Sequence, residues 1–361
     1  MGSLVADTYL EIFRGKRVLV TGHTGFKGSW LTLLLNGLGA EVMGYALAPE
    51  YAGGHFERLG LENQIRHVTG DVRDLDRMRQ EVASFQPEIV FHLAAQALVR
   101  QSYVDPKTTF DVNVGGGVNL LEVVRTCESV RALVFITSDK CYENLEWIWG
   151  YRETDAMGGH DPYSASKGAA ELVISSYMRS FFANRADFGA ATARAGNVIG
   201  GGDWAADRIV PDCVRALQEG TPITIRSPRA TRPWQHVLEP LSGYLKLGAR
   251  LLESGHLYGG AWNFGPHVGD VRTVLDVANA IASQFENGSV VVDEPRDKPH
   301  EAHLLQLNSD KARQLLRWDT RWNFDQTMAA TSGWYKAVLV DGRPAEDVSR
   351  EQISQYYGGQ L

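Results

Sequence analysis

Short apolar runs alternate with amphipathic stretches through the first half of the chain. Residues 17–21 (RVLVT), 41–45, 65–69, 89–95 and 132–138 are each apolar, bounded by polar or glycine-containing turns, and too short for a buried helix. Runs of this kind predict buried strands. Residues 29–38, closed by Gly39, together with 74–85 and 112–127, carry the spacing of helices between them. Strand and helix taking turns over this length predict an α/β fold, a Rossmann-type doubly wound parallel sheet. After about residue 190 the pattern changes. Glycine and proline become denser, as in Gly200-Gly201-Gly202 and Ser227-Pro228. Short strand candidates at 222–226 and 262–264 mix with helical stretches at 271–285 and 309–316. The expected organisation is a dinucleotide-binding domain over 11–190, to which later segments can return. A smaller mixed lobe over 191–345 holds the substrate, and a polar, weakly patterned tail over 346–361 is loosely ordered.

Composition narrows the class. The 361 residues are 44% hydrophobic and 22% charged, ordinary for a globular protein with a real core. A formal net charge of −7 argues against nucleic-acid or anionic-membrane binding. The three cysteines, Cys127, Cys141 and Cys213, form no C-x-x-C pair, which suggests neither a zinc knuckle nor a disulfide framework and fits a reducing cytoplasm. No apolar run approaches the ~18 residues that span a bilayer. The first residues lack a secretory core, so the Asn287-Gly288-Ser289 sequon carries no weight. His300 and His303 flank Glu301 without the spacing of metal ligands, and no metal is expected.

Two constellations carry chemistry. Gly22, Gly25 and Gly28 follow the first strand and open a helix, with Thr24, Phe26 and Lys27 between them. A glycine loop at a helix N-terminus lets backbone N–H groups approach a diphosphate. Asp71 and Val72 end the third strand, where a carboxylate can accept from an adenine amine. Ala94, Ala95 and Gln96 end the fourth and leave room for a nicotinamide ribose, and Asn113 starts a helix nearby. The second strand ends Gly44-Tyr45-Ala46-Leu47, without the acidic residue that holds the adenosine ribose of NAD. NAD bound with fewer contacts is the favoured cofactor, and NADP stays open. The second constellation is Tyr163 and Lys167, four residues apart behind Pro162 and therefore on one helix face. A nearby ammonium favours phenolate, which predicts a lowered tyrosine pKa and a base for a sugar hydroxyl. Ser138-Asp139-Lys140 lies upstream at the end of a strand.

The glycine loop, His92-Leu93-Ala94-Ala95-Gln96, the Tyr163/Lys167 pair and Arg194-Ala195-Gly196-Asn197-Val198 follow one another in the order of the extended short-chain dehydrogenase/reductase superfamily, which the chain resembles over most of its length. Within it, GHTGFKGSW at 22–30, TSDKCY at 137–142, GGGDW at 200–204, DRIVPD at 207–212 and RPWQHVLEP at 232–240 resemble the nucleotide-sugar 4,6-dehydratases that act on CDP-glucose. The resemblance implies an internal redox elimination: oxidation at C4, loss of water across C5 and C6, and reduction at C6, with bound NAD regenerated. Tyr163, Lys167 and Ser138 serve the oxidation and Asp139 is the acid for the leaving hydroxyl. Lys140 stands where related enzymes have glutamate. It acts as a neutral base or, if charged, stabilises the enolate; both stay open. Arg232 resembles a diphosphate clamp and Asn197 a diphosphate or sugar contact. Arg208, Trp204 and Glu301 are further substrate contacts. A cytoplasmic homodimer or homotetramer making deoxysugars for surface polysaccharide is implied. The rivals are a 4-epimerase of the same fold, which needs no acid beside the serine, and a non-catalytic dinucleotide-binding regulator.

Overall fold

The computed structural model describes residues 8–267, 269, 271–286, 288–293 and 304–360. The first strands are β1 (Arg17–Thr21), β2 (Glu41–Ala46), β3 (Arg66–Thr69), β4 (Ile89–His92), β5 (Ala132–Ile136) and β6 (Gly189–Arg194). Shorter ones come after them: β7 (Val198–Ile199), β8 (Ile223–Ile225), β9 (Thr231–Arg232), β10 (Gln235–His236), β11 (Gly260–Asn263), β12 (Arg272–Thr273) and β13 (Val290–Val292). One seven-stranded sheet has the spatial order β11-β6-β5-β4-β1-β2-β3, and its pairings are all parallel.

Burial on both faces explains why its strands read as continuous apolar runs. Successive side chains point to opposite faces. Val18, Val20, Ile89, Phe91, Ala132 and Val134 therefore join one core, while Leu19, Val90, Leu133 and Phe135 join the other. Chain progression reverses between β1 and β4. That opens a crevice at their carboxyl ends, where ligands bind in such sheets. Gly22 leaves β1 and Leu93 leaves β4 at this point. The seventh strand, β11, comes from far along the chain, and the buried helix Leu238–Ser254 packs against β5 and β6.

The tail departs from expectation. Residues Ala345–Tyr356 form a helix that buries Ala345, Val348, Ser349, Gln352, Ile353 and Tyr356. Much of that inward face is polar, which hid its amphipathic pattern. Ser349 meets His55 Nε2 at 3.1 Å and accepts from Trp334 Nε1 at 2.9 Å. The Tyr356 hydroxyl donates to Glu239 at 2.7 Å. Residues 271–285 divide into β12 and a helix, Val274–Ala282, whose Thr273 cap and Asp276 form a reciprocal capping box. Among the described residues no helix is long and apolar enough to cross a membrane. The three cysteines are buried and free.

Buried histidines predict how stability depends on pH. Burial lowers His23, His55, His92 and His236 to about 3. Unfolding releases them to ~6.5, so between those values the unfolded chain binds more protons and stability falls as pH falls. At pH 5 each imidazole contributes about 2 kcal/mol of that loss by the same arithmetic. Buried Glu239, raised to about 7, acts in the opposite sense over roughly the same range. Four imidazoles outweigh one carboxyl. The urea midpoint should drop clearly from pH 7 to pH 5; a flat or rising midpoint would contradict this balance.

Candidate active site

The glycine loop forms as its residue types require. Gly22 has φ +74°, and a Cβ there would lie 2.7 Å from the Ala94 backbone nitrogen. A Cβ on Gly28 would run into the Gly22 carbonyl. The helix begins at Phe26, earlier than the apolar pattern indicated, and Gly25 gives it no side-chain cap. Its first N–H groups at Phe26, Lys27 and Gly28 are left as donors at the crevice. This cradle fits a dinucleotide diphosphate. The Thr24 hydroxyl donates to the Leu47 carbonyl at 3.0 Å, joining the loop to the exit of β2, where no carboxylate stands. His23 is buried and meets His67 at 2.7 Å.

Other expected cofactor residues are partly engaged by the protein. Arg73 grips the Asp71 carboxylate at 2.6 Å and holds it below the usual carboxylate range, and Asp74 rather than Asp71 caps the next helix. Val72 is buried against Gly116. The Gln96 side-chain amide bonds Leu98 and Thr109. Asn113 does not start a helix. It lies inside the wide π turn Asp111–Gly116, where its amide clamps both backbone groups of Gln96 and donates to Ser166 at 2.8 Å. Ser166 stands between Tyr163 and Lys167, so Asn113 ties the β4 loop to their helix. Ala94 and Ala95 remain half-buried at the end of β4, with the Ala94 N–H held by Thr21 Oγ1.

The Tyr163 helix runs from Pro162 to Tyr177, capped by Asp161 through the Ser164 N–H at 2.9 Å. Pro162 sits at the position that needs no N–H. Lys167 Nζ lies 5.9 Å from the Tyr163 ring centroid. The expected depression of the tyrosine is reversed. Burial pushes Tyr163 up to about 12, with a Ser138 hydrogen bond working against the rise. Burial, aided by Lys27, brings Lys167 down to about 8. The physical reason is shared: a dry crevice penalises both charged forms.

Ser138 caps the short turn Asp139–Cys141 at the end of β5. Its hydroxyl donates to Asp139 Oδ1 at 2.9 Å. Asp139 is buried, and Asn197, at φ +52°, reaches its other oxygen at 3.4 Å. Gly196 allows this approach, because a Cβ there would overlap the carboxylate. Lys140 is half-buried, and among the described residues its ammonium has no hydrogen-bond partner.

Lys27 feels the charges of this group. Burial lowers it to about 8, and the charges acting on it are Arg208, Asp139 and Asp203. Arg208 donates to Asp203 at 3.0 Å and also acts on Tyr163. Trp204 is half-buried and packs edge-on against Tyr335, with Arg58 over its ring. Arg232 is half-buried on β9. Glu301, His300 and His303 lie outside the described residues. Two groups were not anticipated: Glu171, one turn beyond Lys167, and its partner Arg194 on β6, joined at 2.7 Å. The only sequence signal was a carboxylate continuing the four-residue spacing of Tyr163 and Lys167.

Fold and site together are those of a dinucleotide-dependent short-chain dehydrogenase/reductase. The family described as GDP-mannose 4,6 dehydratase matches residues 19–331, and the chain belongs to it. It is 47% identical over 351 residues to the CDP-glucose 4,6-dehydratase of Salmonella typhimurium, covering 96% of this chain and 97% of that protein. Among solved structures, an epimerase from Methanothermobacter thermautotrophicus superposes with TM-score 0.78 at 26% identity, covering 95% of this chain and 97% of the other. The UDP-glucose 4-epimerase of Thermus thermophilus, solved as a complex with NAD, gives TM-score 0.76 at 26% identity, covering 90% of this chain and all of the other.

Proposed function

We propose that this chain converts CDP-glucose to CDP-4-dehydro-6-deoxyglucose and water, with NAD held in the crevice beside the glycine loop. The observation that carries the reading is the buried Asp139 carboxyl, which accepts from the Ser138 hydroxyl at 2.9 Å at the end of β5. A 4-epimerase needs the serine and tyrosine but no acid beside them. The epimerase folds superpose well and do not separate the two reactions; the near-full-length likeness to a dehydratase favours elimination.

NAD, when bound, supplies the two-electron acceptor for C4 and the donor that later reduces C6. Tyr163 takes the C4 hydroxyl proton, while Ser138 hydrogen-bonds the same oxygen and Lys167 favours the phenolate. The resulting C4 ketone acidifies the C5 proton. Asp139 protonates the departing C6 hydroxyl, which leaves as water. Lys140 serves the C5 side of the elimination. Asn197 also holds Asp139, beside the diphosphate or sugar contact expected of it. Arg232, Arg208 and Lys27 supply cations for the substrate diphosphate.

The test is incubation with the glucose conjugates of CDP, dTDP, GDP and UDP, monitoring the alkaline absorbance of a 4-keto-6-deoxy sugar. Conversion of CDP-glucose without added reductant is expected; epimerised sugar with no such absorbance would overturn the assignment. Self-association belongs to the same proposal. Tyr103, Val104, Phe110, Leu172 and Phe181 are exposed on helices that pack beside one another on the sheet domain, and a second copy would cover them. Light scattering should give at least twice the 39.9 kDa chain mass, and a single-chain mass would refute it.

A further inference from the structure

We propose that the buried Arg194–Glu171 pair, with Thr137 and Tyr142, is the positioning element that fixes the Ser138–Asp139–Lys140 turn against Tyr163 and Lys167. The inference rests on the reaction assigned above and adds to it a set of residues that touch neither sugar nor cofactor.

The pair is closed on every side. Arg194 Nε donates to Glu171 Oε1 at 2.9 Å and Nη2 to Oε2 at 2.7 Å, a bidentate fork. Thr137 donates to Oε1, and Thr192 donates to Oε2 at 2.8 Å. The remaining guanidinium nitrogen, Nη1, donates to the Tyr142 hydroxyl at 2.7 Å and to the Glu153 carbonyl at 3.2 Å. Tyr142 in turn donates to Asn263 Oδ1 at 2.8 Å on β11. The side chains of Arg194 and Glu171 are 3% and 5% exposed.

What matters is where these partners fall in the chain. Thr137 immediately precedes Ser138, and Tyr142 comes directly after the turn that carries Asp139 and Lys140. The catalytic turn is therefore gripped at both ends. Glu171 lies on the helix of Tyr163 and Lys167, continuing their face by one turn. Arg194 ends β6, three residues before the asparagine that contacts Asp139. Each strand or helix that presents a reacting group thus has one arm on a single ion pair.

A buried pair of this kind contributes little stability beyond what apolar residues of the same shape would give, because desolvation offsets the attraction. Its directional bonds do fix relative geometry, and misplacement of reacting groups by about 1 Å can cost up to a hundredfold in rate. The phenol and the acid work at neighbouring carbons on one ring, so their separation has to be held.

Thr137→Val and Tyr142→Phe each remove one arm while keeping shape and leaving Glu171 and Arg194 paired. In the full-length enzyme, each should lower kcat on CDP-glucose roughly tenfold, with KM within about twofold. The melting temperature should change little in Thr137→Val, where Glu171 Oε1 keeps its Arg194 donor, and in both variants a larger share of 4-keto-glucose should be released before water is lost. Thr137→Ser, which keeps the hydroxyl, should restore kcat. Unchanged kcat in both variants would overturn the proposal. So would a loss of kcat in Thr137→Val matched by a fall in melting temperature, which is what a purely structural bond predicts. Wild type assayed alongside separates the two readings. Absent wild-type conversion counts against the assigned reaction, and normal conversion by wild type and both variants counts against the positioning element alone.

Discussion

Tyr163→Phe should lower conversion of CDP-glucose by on the order of a thousandfold, the middle of the range for removing a positioned acid–base group. The fold should survive, because the ring is buried on a capped helix and the substitution keeps its apolar contacts. Burial holds the phenol near 12, so the protein matrix alone keeps it protonated at neutral pH. Its ionisation is favoured only by Ser138 and by cations in the crevice, of which Arg208 acts on it directly. Lys167, lowered to about 8, remains partly charged at neutral pH and loses that charge as pH rises. A base supported by such an ammonium should show kcat falling above about pH 8 rather than continuing to climb. Near-normal turnover by the phenylalanine variant, with an unchanged melting temperature, would remove Tyr163 from the reaction.

The sheet was legible in the sequence because strands buried on both faces must be apolar throughout and short. The glycine loop was legible because Gly22 and Gly28 answer constraints that only a missing Cβ satisfies. Tyr163 and Lys167 were legible because four residues is a local spacing. The features that escaped share one property: they depend on partners distant in sequence. Glu171 and Arg194 are 23 residues apart, and although Glu171 continues the Tyr163/Lys167 spacing, nothing local says that the two meet. Asn113 reads as a helix start because a π turn preserves a helical pattern through its own irregularity. Lys27 reads as part of the cofactor loop, and the charges of Arg208 and Asp139 that also act on it come from far along the chain. One neighbouring charge implies a lowered Tyr163 pKa; burial, a property of the assembled crevice, is the larger effect.

Lys140→Ala should leave the first oxidation working and stall the elimination. The C4 oxidation uses Ser138 and Tyr163, and Ser138, not Lys140, acts on the Tyr163 phenol. Loss of water from C6 needs the C5 proton taken up or the enolate charge balanced, and Lys140 sits one residue beyond the acid. Overall turnover should fall about a hundredfold or more. A substrate carrying deuterium at C4 should still lose it from carbon, while its reappearance at C6 fades and 4-keto-glucose accumulates. If the variant instead failed at the oxidation, Lys140 would belong with Tyr163 rather than with the elimination. Lys140→Arg then separates the two chemistries left open for this side chain. Guanidinium keeps the charge and cannot act as a base near neutral pH. Retained elimination in the arginine variant would identify an electrostatic role at the C4 oxygen. Loss as deep as in the alanine variant, together with loss of solvent deuterium uptake at C5, would identify a proton acceptor.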